Sequence, residues 1–331
     1  MIVSILGAGS WGTALAIQSA RAGNPTRLWG RDPDRITAMA EVRQNLDYLP
    51  GFQFPELLQP EAELNLAVDQ ADLVMVVTPS HAFPEMLRQL RPLVAAGEGI
   101  AWATKGFEPG SGRLLHEVAA ELLGARPTAV LTGPSFAQEV ADGLPTAVTV
   151  ASADHGFARS VAAAFHAGAF RAYSSDDIVG AELGGAMKNV IAVGTGICDG
   201  MRLGTNARAA LVTRGMAEMM RLSHALGARR ETLMGLSGMG DLVLTCTGDL
   251  SRNRRFGLAL GRGQSVAEAL KEIGQVVEGA RAAEEVLRLA GRSGVELPIS
   301  EQIHQIILGQ ITPREGVQNL LAREPRAEID Y

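Results

Sequence analysis

Residues 2–6, IVSIL, read as a buried strand that ends directly in GAGSWG at 7–12, and a helix-like segment follows over 11–22. An apolar strand, a glycine turn and a helix in that order constrain the fold more than any other feature of the chain. Gly7 permits the tight turn, Gly9 lets a pyrophosphate approach the backbone, and Gly12 allows the helix to pack closely on the strand. The helix N-terminus adds unpaired N–H groups and the positive end of its dipole. In this context the glycine pattern reads as a dinucleotide site rather than a merely structural turn.

Further apolar strands are expected at 26–29, 73–77, 99–103, 128–131, 145–151 and 169–173, with helices between them. Continuous apolar strands alternating with helices indicate a parallel sheet covered on both faces. Pro, Gly and Gln cluster between residues 50 and 60, which reads as an excursion rather than a domain boundary. After about Asp177 the strand signals fade, and helices are expected at 178–197, 206–227, 253–261, 265–273, 280–293, 299–308 and 313–322. The fold class is therefore an α/β N-terminal Rossmann-type doubly wound, mainly parallel sheet followed by an all-α C-terminal domain. The expected boundary separates a dinucleotide-binding domain, 1–178, from a helical substrate-binding and catalytic domain, 179–331.

Composition excludes several function classes. A net charge of −6 gives no global basic field for nucleic acid or anionic lipid, so an anionic substrate needs a local basic site. Residues 2–20 lack the basic n-region of a signal peptide, and Glu182, Lys188 and several glycines interrupt the apolar segment 179–197, so no membrane span is expected. Cys198 and Cys246 belong to no CxxC pair, which fits a reducing cytoplasm. His81, His116, His155, His166, His224 and His304 are scattered without metal-ligand spacing, so no metal is expected; there is also no nucleophile elbow and no Walker lysine. Hydride transfer needs neither a metal nor a nucleophile.

The end of the second strand bears on which dinucleotide is bound. An acid there normally holds the ribose hydroxyls of NAD. Here the residues are Trp29, Gly30, Arg31 and Asp32, and Arg31 favours the 2′-phosphate of NADP(H), with NAD(H) left open. Asp32 and Asp34 read as the N-terminal acids of the next helix.

Within ELGGAMKNVIAVGTGI at 182–197, Lys188 is the one basic side chain. Leu183, Met187, Val190, Ile191 and Gly194 fall on one helical face, and Gly184, Gly185, Ala192 and Thr195 leave room beside the lysine. Poorly hydrated surroundings suit a lysine to proton transfer, but a lysine can equally snorkel from a buried helix, and the segment alone leaves both open. Thr104, Lys105 and Gly106 close an apolar strand, and Gly133, Pro134, Ser135 and Phe136 form a strand-to-helix turn that Ser135 is placed to cap. A solvated strand end and simple capping would also explain Lys105 and Ser135. Asp241 and Thr245 lie one helical turn apart in GMGDLVLTC, and a carboxylate in such surroundings needs a partner, for which Lys188 is the natural candidate. Ser251 opens SRNRRF as a helix cap, with Arg252 and Asn253 in the first turn. Arginines there oppose the helix dipole, so the choice lies between a bound anion and an exposed basic turn.

Taken together, GAGSWGTALA at 7–16, the turn at 104–106, LTGPSFAQEV at 131–140, ELGGAMKNVIAV at 182–193, GDLVLTC at 240–246, SRNRRFG at 251–257 and VVEGARA at 276–282 resemble the bacterial NAD(P)-dependent glycerol-3-phosphate dehydrogenases. The resemblance runs through nearly the whole chain in order. It implies reversible hydride transfer between NAD(P)H and dihydroxyacetone phosphate, giving sn-glycerol 3-phosphate for phospholipid synthesis, by a cytoplasmic homodimer. It further implies that Lys188 exchanges a proton with the C2 oxygen, held with the substrate by Asn189, Asp241 and Thr245. Arg252 and Asn253 would bind the substrate phosphate, with Lys105, Gly133, Ser135 and Ser251 completing that site. The cofactor would lie on the glycine turn and against Ser10, Trp11, Arg31, Ala137, Val276 and Glu278, with Lys105 and Arg252 reaching it as well. Relatives often carry a second basic residue where this chain has Asp32. The alternative reading is a related two-domain hydroxy-acid or sugar-acid dehydrogenase, which would orient a carboxylate instead of a phosphate.

Overall fold

A computed structural model describes residues 1–324. The chain divides into two compact units, one of Met1–Lys105 with Leu115–Ala181, the other of Gly106–Leu114 with Glu182–Tyr331; residues 325–331 lie outside the described residues.

The first unit is built on strands β1 (Val3–Leu6), β2 (Thr26–Trp29), β3 (Leu58–Glu61), β4 (Leu73–Val76), β5 (Ile100–Trp102), β6 (Thr128–Thr132), β7 (Thr146–Ala151) and β8 (Phe170–Ser175). They form one sheet in the order β3-β2-β1-β4-β5-β6-β7-β8. Every pairing is parallel except β6 with β7, which is antiparallel. The mainly parallel sheet expected from the apolar runs is thus present, and β1 lies inside it, with Ile5 opposite Leu28 on one side and Met75 on the other. Successive side chains of β1 point to opposite faces. Ile5 joins a core with Leu15 and Ile17 of the helix Ser10–Arg21 and Phe165 of the helix His155–Phe165. Leu6 joins the other core with Phe83 and Leu87 of the helix Phe83–Leu90 and Leu115 of the helix Leu115–Leu123. There Phe83 meets Trp102 edge-on at 5.5 Å. Burial on both faces is why β4 reads as an unbroken apolar run, and β1 as one broken only by the buried Ser4, rather than as alternating strands.

The chain leaves β1 for β2 and β3 on one side and returns to β4 on the other. That reversal creates a crevice at the carboxyl ends of β1 and β4, where open α/β sheets receive ligands. Residues 50–60 are not only an excursion: they run into edge strand β3, where Pro60 pairs in register with Leu28. An edge position tolerates a proline that donates no ladder hydrogen bond, and that proline hid the strand.

Among the described residues, the helices of the second unit include Thr205–Ala225, Arg230–Met234, Asp241–Thr247, Arg252–Gly261, Val266–Ile273, Glu278–Arg292, Pro298–Ile307 and Pro313–Leu321. The helix Ile178–Gly200 leads into them. Every residue from 182 to 198 is buried, so the apolar face of Leu183, Met187, Val190, Ile191 and Gly194 is part of a helix enclosed on all sides. Its small residues also serve a different purpose from the one expected. A Cβ on Gly184 would stand 2.2 Å from the Ser237 carbonyl oxygen, and one on Gly196 would stand 2.0 Å from that of Arg254. From the facing side, a Cβ on Gly257 would come within 1.9 Å of the Val193 oxygen and one on Gly279 within 2.5 Å of the Asn189 oxygen. These glycines let helix backbones touch, which draws the helices bearing Arg252 and Glu278 onto the one bearing Lys188. No helix among the described residues is long and apolar enough to cross a membrane.

Candidate active site

In the first unit, the glycine turn follows β1 at the sheet's reversal. Gly7 has φ +129°, and a Cβ there would meet the Val77 oxygen at 2.5 Å. A Cβ on Gly12 would lie 1.8 Å from the Gly7 oxygen, so the helix Ser10–Arg21 sits directly on the turn. Gly9 differs: nothing lies within 4 Å of a Cβ there, and it caps the helix without any side-chain hydrogen bond. Open space over Gly9 and an uncapped helix N-terminus fit the pyrophosphate of a dinucleotide. Ser10 spends its hydroxyl on the Tyr48 carbonyl at 2.7 Å, while Trp11 is half-buried beside it.

At the end of β2, Arg31 is exposed. Asp32 is engaged as a helix cap: one carboxylate oxygen accepts from the Arg35 backbone N–H at 3.3 Å, and the other pairs with Arg35 Nε at 3.3 Å. Its position before the helix Pro33–Val42 is the one expected of a helix-capping acid.

Lys105, Gly133 and Ser135 come together in this unit. Lys105 Nζ donates to the Gly133 carbonyl at 3.2 Å and Ser135 Oγ donates to the same oxygen at 3.0 Å. The capping role read for Ser135 is therefore corrected, since the helix Ala137–Asp142 is preceded by Phe136 and has no side-chain cap. Gly133 has φ +136°, a conformation that turns its carbonyl toward both side chains and that L residues rarely adopt.

The second unit gathers the rest. Lys188 Nζ donates to Asp241 Oδ1 at 2.5 Å and to Thr245 Oγ1 at 2.9 Å. Thr245 Oγ1 in turn donates to the Asp241 carbonyl at 2.6 Å, which aims its lone pairs at the lysine. All three residues are buried, so the snorkelling alternative is excluded and the carboxylate supplies the counter-charge that a buried ammonium requires. The π-helical turn Leu236–Gly240 leads into the helix Asp241–Thr247 and sets Asp241 at its start.

Beside this triad runs a line of amides. Asn253 Nδ2 donates to Asn189 Oδ1 at 2.8 Å, and Asn253 Oδ1 accepts from the Gly279 N–H at 2.9 Å. The structure therefore gives Asn253 a helix-tying role alongside any contact with substrate. Ser251 caps its helix, accepting from the Arg254 N–H at 3.2 Å. Arg252 donates from Nη1 to Gln275 Oε1 at 3.1 Å. Crowding around its guanidinium pushes its pKa below the usual value, and the nearby charge of Glu278 only partly opposes that. Val276 is exposed just ahead of the helix that Glu278 opens.

Three functional or supporting groups escaped the sequence reading. Arg254 grips Asp199 through Nε at 3.1 Å and Nη2 at 2.7 Å, anchoring the SRNRRF turn to the far end of the Lys188 helix. Glu218 is buried and accepts from the Ile299 and Ser300 N–H groups, capping the helix Pro298–Ile307, while desolvation raises its pKa. Gln275 receives Arg252. Only the doubled arginine of SRNRRF carried a local signal; the partners lie too far away in sequence. Burial lifts the Cys246 thiol to about 12, so it is no nucleophile.

The sequence matches two family models, the NAD-dependent glycerol-3-phosphate dehydrogenase N-terminus over residues 2–158 and the corresponding C-terminus over 177–318. The chain belongs to the NAD-dependent glycerol-3-phosphate dehydrogenase family. It is 61% identical over 98% of its length, and 96% of the other protein's, to glycerol-3-phosphate dehydrogenase (NAD(P)+) of Stenotrophomonas maltophilia strain R551-3. The crystal structure of glycerol-3-phosphate dehydrogenase from Coxiella burnetii matches with a TM-score of 0.94 at 47% identity, over 97% of this chain and 99% of that one. The yeast glycerol-3-phosphate dehydrogenase is similar at TM-score 0.82 and 27% identity, covering 96% of this chain and 98% of its own. D-mandelate dehydrogenase shares the fold alone, at TM-score 0.63 and 14% identity over 96% of this chain and 99% of that one. Membership in the glycerol-3-phosphate dehydrogenase family agrees with the resemblance carried by the motifs.

Proposed function

We propose that this family member catalyses reversible NAD(P)-dependent reduction of dihydroxyacetone phosphate to sn-glycerol 3-phosphate. The observation that carries the reading is the buried Lys188–Asp241–Thr245 triad with Arg252 beside a helix N-terminus in the same unit. The reduced nicotinamide supplies the hydride when bound. Lys188 holds a proton for the C2 oxygen as hydride reaches C2, and it regains one from solvent after the alcohol leaves. Asp241 and Thr245 fix the ammonium, while Asn189 and Asn253 hold the neighbouring helices in register. Arg252 binds the substrate phosphate, with the Ser251 turn beneath it, and the family resemblance also assigns Lys105, Gly133 and Ser135 to substrate binding. The glycine turn takes the pyrophosphate, and Ala137, Val276 and Glu278 border the cofactor.

Exposed Arg31, with Asp32 already engaged by Arg35, supports NADP(H) as the preferred cofactor. The family resemblance supports a homodimer that supplies glycerol 3-phosphate to phospholipid synthesis. Buried, unpaired Cys198 and Cys246 suit a cytoplasmic setting. The decisive assay follows loss of NADPH absorbance with dihydroxyacetone phosphate and, separately, with 2-keto acids. Turnover of the triose phosphate alone is expected; turnover of a keto acid without it would select the hydroxy-acid alternative.

A further inference from the structure

Residues 43–57 take no part in the chemistry described so far, yet they are tied firmly to the glycine turn. The base of this segment is closed by Arg43, whose φ is +52° and whose Nη2 donates to the Pro55 carbonyl at 2.7 Å and the Leu58 carbonyl at 3.2 Å. Leu49 and Phe54 anchor it in the sheet core. Two residues after Arg43 stands Asn45, which is wholly buried.

Asn45 uses nearly all of its hydrogen-bonding capacity there. Its Nδ2 donates to the Ala8 carbonyl at 3.0 Å and to Thr13 Oγ1 at 2.8 Å, and its Oδ1 accepts from the Tyr48 N–H at 3.1 Å. A second tether runs back from Ser10 Oγ to the Tyr48 carbonyl at 2.7 Å. Three polar groups of the turn, on Ala8, Ser10 and Thr13, are therefore held by one strap.

The grip on Ala8 has a geometric consequence. A trans peptide is planar, so the Ala8 carbonyl and the Gly9 N–H point in opposite directions. Drawing that carbonyl toward Asn45 turns the Gly9 N–H away from the strap. Gly9 is the residue of the turn whose side faces open space, and it has no side chain to orient it. Left alone, a glycine peptide would rotate among several orientations. We propose that Asn45 is a positioning residue for the cofactor: it fixes the Ala8–Gly9 peptide so that the Gly9 N–H is preset toward the pyrophosphate. The role rests on the dinucleotide reading of the turn.

Three variants test it: Asn45→Ala, isosteric Asn45→Asp, and Thr13→Val, which removes the other Nδ2 partner but leaves the Ala8 carbonyl held. NADPH affinity is measured by fluorescence titration without substrate, and KM for dihydroxyacetone phosphate at saturating NADPH. Asn45→Ala should weaken NADPH about tenfold, the size of one or two lost neutral hydrogen bonds, with the triose phosphate KM unmoved. Asn45→Asp, which also places a charge near the phosphates, should lose at least as much; Thr13→Val should stay within about twofold. Wild-type-like affinity in either Asn45 variant overturns the role. So does an equal loss in Thr13→Val, which would make the effect one of local packing. Wild-type protein that binds no reduced nicotinamide dinucleotide would overturn the dinucleotide reading itself, a result distinct from either of these.

Discussion

The two units make their polar sites by opposite means. In the first, the glycine turn offers backbone N–H groups at the start of a helix, and its key residues, Gly7, Gly9 and Gly12, fall within six consecutive positions. In the second, the working groups are side chains drawn from helices distant in sequence: Lys188 reaches Asp241 and Asn189 reaches Asn253. A backbone site is preset by the local fold and tolerates change in most side chains around it. A side-chain site depends on each group and on the packing that brings the helices together. Variants in the two regions should therefore fail in different ways.

The largest effect is expected from Lys188→Ala. It removes the proposed proton donor, and turnover should fall by roughly three orders of magnitude, within the range typical of lost general acid catalysis. NADPH binding should persist, because the glycine turn shares no residue with the triad. The change also leaves the Asp241 carboxylate buried without its cation, so a lowered melting temperature is expected with it. Near-wild-type turnover would remove Lys188 from the chemistry. Loss of NADPH binding in a folded variant would break the independence of the two sites.

Arg252→Ala comes next. Arg252 opens its helix at the N-terminal turn, where it is proposed to bind the substrate phosphate, so KM for dihydroxyacetone phosphate should rise about a hundredfold, the scale of a pair of charge-assisted hydrogen bonds. Because Arg252 is also proposed to reach the cofactor, a smaller rise in the NADPH KM is expected. An equal rise in both would assign the residue to the dinucleotide instead.

Gly257→Ala separates packing from chemistry in the side-chain site. The added Cβ would stand 1.9 Å from the Val193 carbonyl, so two helix backbones must part. A loss of about 1–3 kcal/mol in unfolding free energy is expected, read by denaturant titration. Glycine-to-alanine exchange in an exposed helix is normally stabilising, so the sign of the change tests the contact directly. Activity should fall less than stability if the triad itself stays intact.

The contrast also explains what the sequence made legible. The parallel sheet, the glycine turn and the long helical tail were all readable, because each is encoded by contiguous pattern: apolar runs, glycine spacing, helix starts. Edge strand β3 was hidden because Pro60 breaks the strand signal, although an edge position accepts it. Lys188 stood out as the one basic side chain of a helix expected to be buried, but the close backbone contact that Gly184 makes with Ser237 was not foreseen. Ser135 looked like a cap because serine before a helix usually is one; the turn at Gly133 instead draws its hydroxyl back onto a carbonyl it shares with Lys105. Pairings such as Arg254 with Asp199 depend on helices meeting in space, and no local pattern encodes them.

The smallest expected effect probes Arg31, the side chain proposed to favour NADP over NAD. Arg31 stands exposed where β2 ends, and the acid that follows it is occupied by Arg35 rather than presented to a ribose. An exposed ion pair with a 2′-phosphate is worth little in water, about 1 kcal/mol, because both partners are well solvated and screened by salt. Arg31→Ala should therefore lower kcat/KM for NADPH by about five- to tenfold while leaving NADH within twofold, and the difference should shrink as ionic strength rises. Equal losses for both cofactors would mean that Arg31 shapes the turn instead of reading the phosphate. The comparison of the two units would then sharpen: the first would bind its cofactor through backbone alone, and selectivity between NADP and NAD would have to come from elsewhere on its surface.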